Sequence, residues 1–312
     1  MSDSGFKKLL VYVTTRNDAH GALNRAVALA RHFGASLTLL SVAQQLPLLL
    51  QRSIEGHVDL DTALKAEMAS NLKQLAAPLI AEGLKVTTRV CEGRPHIEII
   101  RAVRASKFDL VLKTAESGAL TPLFGSTALK LLRLCPATVW VEKPARRRSL
   151  RRIVATVDPF AEHDEGRQLN HRIVETASAA ANVQGAELTV LHAWQAFGAD
   201  VLRGRGGLSE RALGQYRKSS RQMVQEEFEK FREATAGRVT KKQMRLLEGD
   251  PAHVIPKFTR TNRSDLIVRG SVGRVGVAGM LIGNTAEQIL AKVRCSVLAV
   301  KPDGFVSPVK AR

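Results

Sequence analysis

The chain has 312 residues, enough for two domains of about 150 residues each, and 45% of its residues are hydrophobic. No apolar run approaches the ~20 residues that a membrane-spanning helix needs, and the run near the start is too short for a secretion signal, so we expect a cytoplasmic protein without a transmembrane segment. The net charge of +18 predicts weak, salt-sensitive attraction to polyanions.

Short aliphatic and β-branched runs alternate with segments of helical period along the whole chain. In the first half the runs lie near residues 8–13, 37–42, 85–90, 109–113 and 137–141. In the second half they lie near residues 152–157, 187–193, 240–247, 265–269 and 296–300. Strands separated by helices indicate right-handed crossovers, so each half is predicted to be an α/β domain with a five-stranded parallel sheet and helices on both faces.

The two series of strands belong to an internal repeat. The segment Gly34–Leu40 resembles Gly185–Leu191, and in both a glycine ends a helix just before a strand. Gly125-Ser-Thr-Ala128 likewise resembles Gly283-Asn-Thr-Ala286. Because the matches keep the same order, the chain is interpreted as a tandem duplication with domains at residues 1–145 and 150–312.

The junction between the halves carries five arginines within residues 146–152. Such a cluster of positive charge can bind phosphate backbones, but no interleaved aromatic residues or nucleic-acid module accompany it. A solvated linker is therefore the simpler interpretation. The three cysteines have no CxxC or metal spacing, which predicts reduced thiols and no metal site; Cys135 and Cys295, just before the terminal strands, are predicted to be buried packing residues.

A glycine-rich loop follows the fourth strand of the second half. Gly270 and Gly273 lack the Cβ atoms that would keep a ligand away from backbone N–H groups. Gly283, Asn284 and Thr285 then open a helix, whose free N–H groups and dipole favour an anion. Strand, glycines and helix start in this order predict a phosphate cradle, with a plain surface turn as the alternative.

Ligands of parallel sheets bind at the carboxyl ends of the strands. The turn Val157-Asp158-Pro159 lies at that edge in the second half, and Asp158 is a candidate ligand carboxylate or a purely structural turn residue. His192 ends a strand at the same edge, where a packed histidine is a simpler interpretation than a catalytic base. No P-loop lysine, nucleophile elbow or His-Glu-x-x-His helix is present, so no catalytic residue is predicted.

These residues resemble the universal stress protein family. The family's nucleotide motif, Gly-x2-Gly-x9-Gly followed by Ser or Thr, is similar to Gly270, Gly273 and Gly283 followed by Asn284 and Thr285. The whole chain resembles the tandem two-domain form, which implies two flavodoxin-like (adenine nucleotide α-hydrolase-like) domains that pair through their last strands. Such pairing would place Val139 and Leu298 at or near the seam of an intramolecular pseudo-dimer, and it leaves a homodimer of whole chains open as well.

The resemblance further implies that ATP or another adenine nucleotide binds the second domain alone, as a switch in a stress response. Asp158 and Pro159 would then lie near the adenine and ribose, and Ala193 and Trp194 would pass along the base. The phosphates would be contacted by Gly270, Gly273, Gly283, Asn284 and Thr285. Asn284 takes the place of the family's hydroxyl residue and changes the geometry that a hydroxyl would provide.

The first half departs from this pattern. Thr14, Thr114 and Ser117 stand where the second half has Asp158, Gly270 and Gly273, and only Gly125-Ser-Thr127 remains of the phosphate loop. We therefore predict that the first half does not bind ATP. Its apolar connection at residues 44–50 could line a pocket for an apolar ligand, although packing against the sheet is the simpler interpretation.

Two further functions stay open at the level of sequence. Without a base aimed at a γ-phosphate, any ATP hydrolysis is expected to be slow. A different class of function is a nucleotide-free scaffold, whose basic surface binds nucleic acid, lipid headgroups or a protein.

Overall fold

The structure, a computed structural model, describes residues 5–14, 19–44, 60–116, 124–143, 149–161, 163–196, 198, 209–235, 237–271 and 283–311. The elements of the first half are β1 (Lys8–Tyr12), α1 (Ala19–Phe33), β2 (Ser36–Ala43), α2 (Leu60–Ala81), β3 (Val86–Glu92), α3 (Pro95–Ser106), β4 (Leu110–Thr114), α4 (Gly125–Leu134) and β5 (Thr138–Glu142). Those of the second half are β6 (Arg152–Thr156), α5 (Asp164–Gln184), β7 (Glu187–Trp194), α6 (Glu210–Ala234), β8 (Met244–Glu248), α7 (Pro251–Thr261), β9 (Leu266–Gly270), α8 (Asn284–Lys292) and β10 (Ser296–Val300).

All ten strands form one continuous sheet in the order β3-β2-β1-β4-β5-β10-β9-β6-β7-β8. Neighbouring strands are parallel within each half, and the halves meet where β5 and β10 pair antiparallel. In that central pair Val139 lies opposite Ala299, and Trp140 lies opposite Leu298. The predicted five-stranded parallel halves, and the seam at Val139 and Leu298, are thus confirmed.

Two apolar layers cover the sheet because successive side chains of a strand point to opposite faces. In β1, Leu9 and Val11 face one layer, whereas Leu10 and Tyr12 face the other. The first layer is completed by α1, α2, α5 and α6, and the second by α3, α4, α7 and α8. Each layer contains residues of both halves, so the core continues across the seam.

Glycines close the first helix of each half in the same way. Gly34 and Gly185 follow α1 and α5 with φ angles of 65° and 61°, values that side chains disfavour. The N–H of Gly185 caps the helix by bonding to carbonyls of its last turn. This shared helix end directs both chains straight into β2 and β7 and explains the repeat that the sequence shows there.

The third strand of the second half begins later than the sequence pattern suggests. Residues Lys241–Gln243 form a short 3-10 helix, and β8 starts at Met244 rather than near residue 240. A reciprocal capping box holds this turn: Gln243 Oε1 accepts the backbone N–H of Thr240 at 2.8 Å. The side chains of Thr240 and Gln243 thus bond to backbone groups that would pair with a neighbouring strand if β8 were longer.

Polar contacts also tie the halves together. The Arg25 guanidinium on α1 pairs with Glu142 Oε1 at 2.9 Å and donates to Gln184 Oε1 of α5 at 2.8 Å. After β10 the chain returns to the first half, where Val309 is 8% exposed and the backbone of Lys310 accepts a bond from Arg101 of α3. The second half therefore ends on a helix of the first.

Candidate functional site

Most of the predicted site residues lie at one edge of the second half. In the strand order, β6 stands between β7 and β9, and such a reversal of direction opens a crevice at the carboxyl ends of the strands. Asp158 follows β6, Gly270 ends β9 and Trp194 ends β7. The structure therefore places these sequence-distant residues on three adjacent strands at the same edge.

Asp158 is held in a fixed turn by Asn170, a buried residue of α5. The Asn170 side-chain oxygen accepts the Asp158 N–H at 3.0 Å, and its amide nitrogen donates to the Asp158 carbonyl at 2.5 Å. Asp158 Oδ1 accepts the N–H of Phe160 at 3.2 Å, closing the turn that holds Pro159. Asn170 thus fixes the backbone of the turn that carries the Asp158 carboxylate, and it is a positioning residue. In the sequence it is visible only as a polar residue on the apolar face of a helix.

His192 is a packed residue rather than a free base. Its Nδ1 lies 3.0 Å from the Val157 carbonyl oxygen, and its ring contacts Phe160 and Phe228 at centroid distances of 5.8 and 6.0 Å. Burial lowers the pKa of His192, although the hydrogen bond to Val157 and the charge of Asp158 both oppose that shift. A neutral imidazole would donate its Nδ1–H to Val157 and fix the strand end.

Ala193 and Trp194 lie at the predicted edge, but both side chains are buried. Trp194 is 6% exposed and packs with Leu213 and Val224 of α6. Its carbonyl accepts the N–H of Gly249 at 2.8 Å. The resemblance implies that these two residues contact a base. In the structure α6 covers the side chain of Trp194, and that of Ala193 lies in the second apolar layer, on the other face of the sheet.

Gly270 has a packing reason for its missing side chain. A Cβ built there would lie 2.9 Å from Leu169 Cδ2 and 3.6 Å from Ile173 Cδ1, both on α5. At the equivalent place of the first half the larger residue is on the strand: Thr114 Oγ1 on β4 accepts the N–H of Ala22 on α1 at 3.3 Å. The second half therefore combines a glycine on the strand with large residues on the helix. The first half combines a threonine on the strand with small residues on the helix.

The start of α8 is a helix N-terminus without a side-chain cap. Its N-cap residue is Gly283, and Asn284 and Thr285 are exposed in the first turn. The first N–H groups of a helix have no partner within it, so they and the positive end of the dipole favour an anion. The helix start at Gly283, Asn284 and Thr285 is thus open to an anion, and the phosphate contacts of these residues stay a prediction.

Arg269, the residue before Gly270, is a functional candidate that the motif does not contain. Its Nε donates to the Gly270 carbonyl at 3.1 Å, and a terminal nitrogen donates to the Ala286 carbonyl of α8 at 3.2 Å. Burial lowers the pKa of Arg269 to about 10, so the guanidinium keeps its charge at neutral pH. The signal in the sequence is a single cation at the end of an apolar strand.

Several predicted features lie outside the described residues. They are Gly273 of the second half, Ser117 of the first, most of the apolar connection at 44–50 and Arg146, Arg147 and Arg148. Within the described ranges no group of three or more His, Cys, Asp or Glu could hold a metal ion, and no helix is long and apolar enough to cross a membrane. Cys135 and Cys295 are buried as predicted, and burial raises the pKa of each thiol to about 12.

Comparison with known proteins decides the family. The model of the universal stress protein family matches residues 5–143 and again 149–301. The chain belongs to this family. It is a tandem member: universal stress protein E of Photorhabdus laumondii is 27% identical over 317 residues, covering 99% of each chain. The same protein of Escherichia coli K12 is 26% identical over 328 residues, covering 98% of this chain and 97% of the relative.

Solved structures agree with this assignment. A functionally unknown protein from Pseudomonas aeruginosa PAO1 superposes with a TM-score of 0.69 at 26% identity, covering 97% of this chain and 95% of its own. A universal stress protein from Archaeoglobus fulgidus gives a TM-score of 0.63 at 18% identity, covering 96% and 98%. The second likeness shows the fold alone, and both extend over the two halves.

Proposed function

We propose that this universal stress protein binds one adenine nucleotide, ATP foremost, in its second half, and that binding acts as a switch in the stress response. The observation that carries the proposal is the uncapped start of α8 beside the Arg269 cation, at the edge where Asp158 is fixed. An anion-binding helix end, a cation and an oriented carboxylate match the phosphates and ribose of a nucleotide. The tandem domains themselves we place at residues 1–145 and 150–312.

The chemistry of the described residues fits such a ligand. The N–H groups of the first turn of α8, the Asn284 amide and the Thr285 hydroxyl are donors for phosphate oxygens. The Asp158 carboxylate, in a turn whose backbone is bonded to Asn170, is an acceptor for ribose hydroxyls. ATP would supply the phosphates and the base, while the chain would supply donors, a cation and an acceptor.

A switch is favoured over catalysis because the histidine at this edge is committed to the fold. His192 is buried, its Nδ1 contacts the Val157 carbonyl, and burial lowers its pKa. A general base must reach the proton that it abstracts, and a packed imidazole has no such freedom. We therefore expect hydrolysis of bound ATP to be slow or absent.

Calorimetric titration of the full chain with ATP tests the proposal. The wild-type chain should bind one ATP, and Gly273→Val should weaken binding by at least about tenfold, because a side chain in the loop obstructs close approach of the phosphates. Ser117→Val is the matched control at the equivalent place of the first half and should leave the affinity unchanged. Absence of ATP binding by the wild-type chain would overturn the proposal.

The scaffold alternative has its own outcome. If the wild-type chain ignores ATP but binds a polyanion with an affinity that falls steeply with salt, the net charge of +18 is the functional feature instead. Mass spectrometry of small molecules retained by the purified protein provides an independent check of which ligand it selects.

A further inference from the structure

We propose that Arg269 is the residue that selects an anionic ligand in the second half, and that Glu116 serves as a built-in anion at the equivalent place in the first half. The first part rests on the proposed function, since it names the residue that would recognise the phosphates. The second part explains why one half of a duplicated chain would bind a nucleotide and the other would not.

The first half holds a carboxylate at its helix start. Glu116 follows β4, and its side chain lies against Gly125, the first residue of α4, so closely that a Cβ on Gly125 would overlap Glu116 Oε2. Helix α4 has no side-chain cap and no acidic residue in its first turn. The carboxylate thus lies at the positive end of the helix dipole, where the second half offers its cradle.

A buried lysine accompanies that carboxylate. Lys113 on β4 is 2% exposed, and its Nζ lies 3.1 Å from Glu116 Oε1 and 2.9 Å from the Thr114 carbonyl oxygen. The charge of Glu116 also reaches Tyr12 on β1, where it adds to burial and raises the pKa of the phenol to about 12. A buried cation on the fourth strand therefore holds an anion at the start of the next helix.

Arg269 is the counterpart of Lys113 in the second half. Each is the residue before the last of its strand, and the two strands pair with β1 and β6 in the same register, Lys113 opposite Tyr12 and Arg269 opposite Thr156. Arg269 donates to the first turn of α8, on the face that corresponds to α4. The two cations thus occupy equivalent positions under equivalent helix starts.

The second half lacks the internal anion. No Asp or Glu occurs in the sequence between residues 266 and 286, and Val272 stands at the place of Glu116. Glu287, in the first turn of α8, instead pairs with Arg133 of α4 at 2.5 Å. Within the part of the chain that the structure describes, Arg269 is therefore bonded only to carbonyl oxygens and to no carboxylate.

Lys113 is buried and Arg269 is half-buried, and withdrawing a cation from water is costly without a compensating negative charge. In the first half Glu116 provides that negative charge. In the second half a bound anionic ligand would provide it. An arginine also presents several N–H groups in a planar fork, which suits the oxygens of a phosphate. Arg269 would consequently favour nucleotides and polyphosphate over the neutral nucleoside.

Titrations with ATP, inorganic tripolyphosphate and adenosine test both parts. Arg269→Gln should weaken ATP and tripolyphosphate binding by at least about tenfold while leaving adenosine affinity unchanged, and Arg269→Lys should keep part of the phosphate affinity. Glu116→Gln should raise the tripolyphosphate stoichiometry from one to two per chain. Adding Lys113→Met to that variant should return the stoichiometry to one.

The outcomes separate this inference from the proposed function. Tripolyphosphate binding that depends on Arg269, in a chain that ignores both ATP and adenosine, would support the inference and overturn the nucleotide proposal. Equal ATP and tripolyphosphate affinities for wild type and a folded Arg269→Gln would overturn the role of Arg269 and leave nucleotide binding standing. An unchanged stoichiometry in Glu116→Gln would overturn the role of Glu116.

Discussion

At the scale of single residues, Lys301 shows how a charge is kept inside this fold. Lys301 follows β10, is 1% exposed, and donates from Nζ to the carbonyls of Leu132 and Arg133 at 2.6 and 3.1 Å. The negative end of α4 and the ring of Phe305, 4.6 Å away, both favour the ammonium. Burial nevertheless lowers the pKa of Lys301 to about 7, so this residue titrates near neutrality.

The stability of the chain should therefore depend on the protonation of Lys301. The unfolded chain keeps the lysine proton up to about pH 10.5, whereas the folded chain releases it near pH 7. Between these values the unfolded state binds more protons, so the contribution of Lys301 to the free energy of unfolding rises with pH, by up to about 1.4 kcal/mol per unit. Urea unfolding of wild type and Lys301→Met from pH 6 to 8.5 measures this, because methionine does not titrate. Parallel pH profiles for the two proteins would contradict the prediction.

At the scale of elements, the contact between α5 and β9 gives Gly270 two competing explanations. The nucleotide motif assigns the glycine to ligand approach, whereas the structure fills the space of its missing Cβ with Leu169. The two explanations differ in what a methyl group at residue 270 should change. A packing role affects stability, and a cradle role affects the affinity for a nucleotide.

We expect Gly270→Ala to destabilise the fold by about 1–3 kcal/mol through overpacking against Leu169. The added methyl partly fills the space that Leu169→Ala would open, so the double variant should lose less stability than the sum of the two single variants. Thermal or urea unfolding of the four proteins gives this coupling. Additive effects would show that Gly270 and Leu169 are not coupled by packing, and a loss of ATP affinity with unchanged stability would show that the glycine serves the ligand instead.

The helices and strands also show what the sequence could and could not predict. Alternating apolar runs placed all ten strands near their observed positions, because burial on both faces leaves a local signature. The site depended on contacts between segments far apart in sequence. Neither the cover that α6 places over Trp194 nor the bond from Arg269 to α8 has a local signature, and the turn at 241–243 rests on one side-chain pair.

At the scale of the whole molecule, the seam makes two domains into one sheet. Trp140 of β5 is fully buried, and its indole N–H donates to Glu142 Oε2 at 2.8 Å. The other oxygen of Glu142 accepts from Arg25, which also reaches α5 of the second half. Burial raises the pKa of Glu142, and the charge of Arg25 opposes that shift, so the carboxylate depends on its partner.

Removal of Arg25 alone should therefore destabilise the fold more than removal of both Arg25 and the charge of Glu142. Arg25→Met leaves the Glu142 charge buried without its cation and should lower the free energy of unfolding by about 3–5 kcal/mol. Adding Glu142→Gln removes that charge while keeping an acceptor for the Trp140 indole, so the double variant should regain part of the loss. Glu142→Gln alone serves as the reference for the amide. Calorimetric unfolding at pH 7 compares the three variants with wild type. A double variant no more stable than Arg25→Met would mean that the ion pair does not stabilise the seam, and that the apolar layers and the β5–β10 pairing hold the halves together without it.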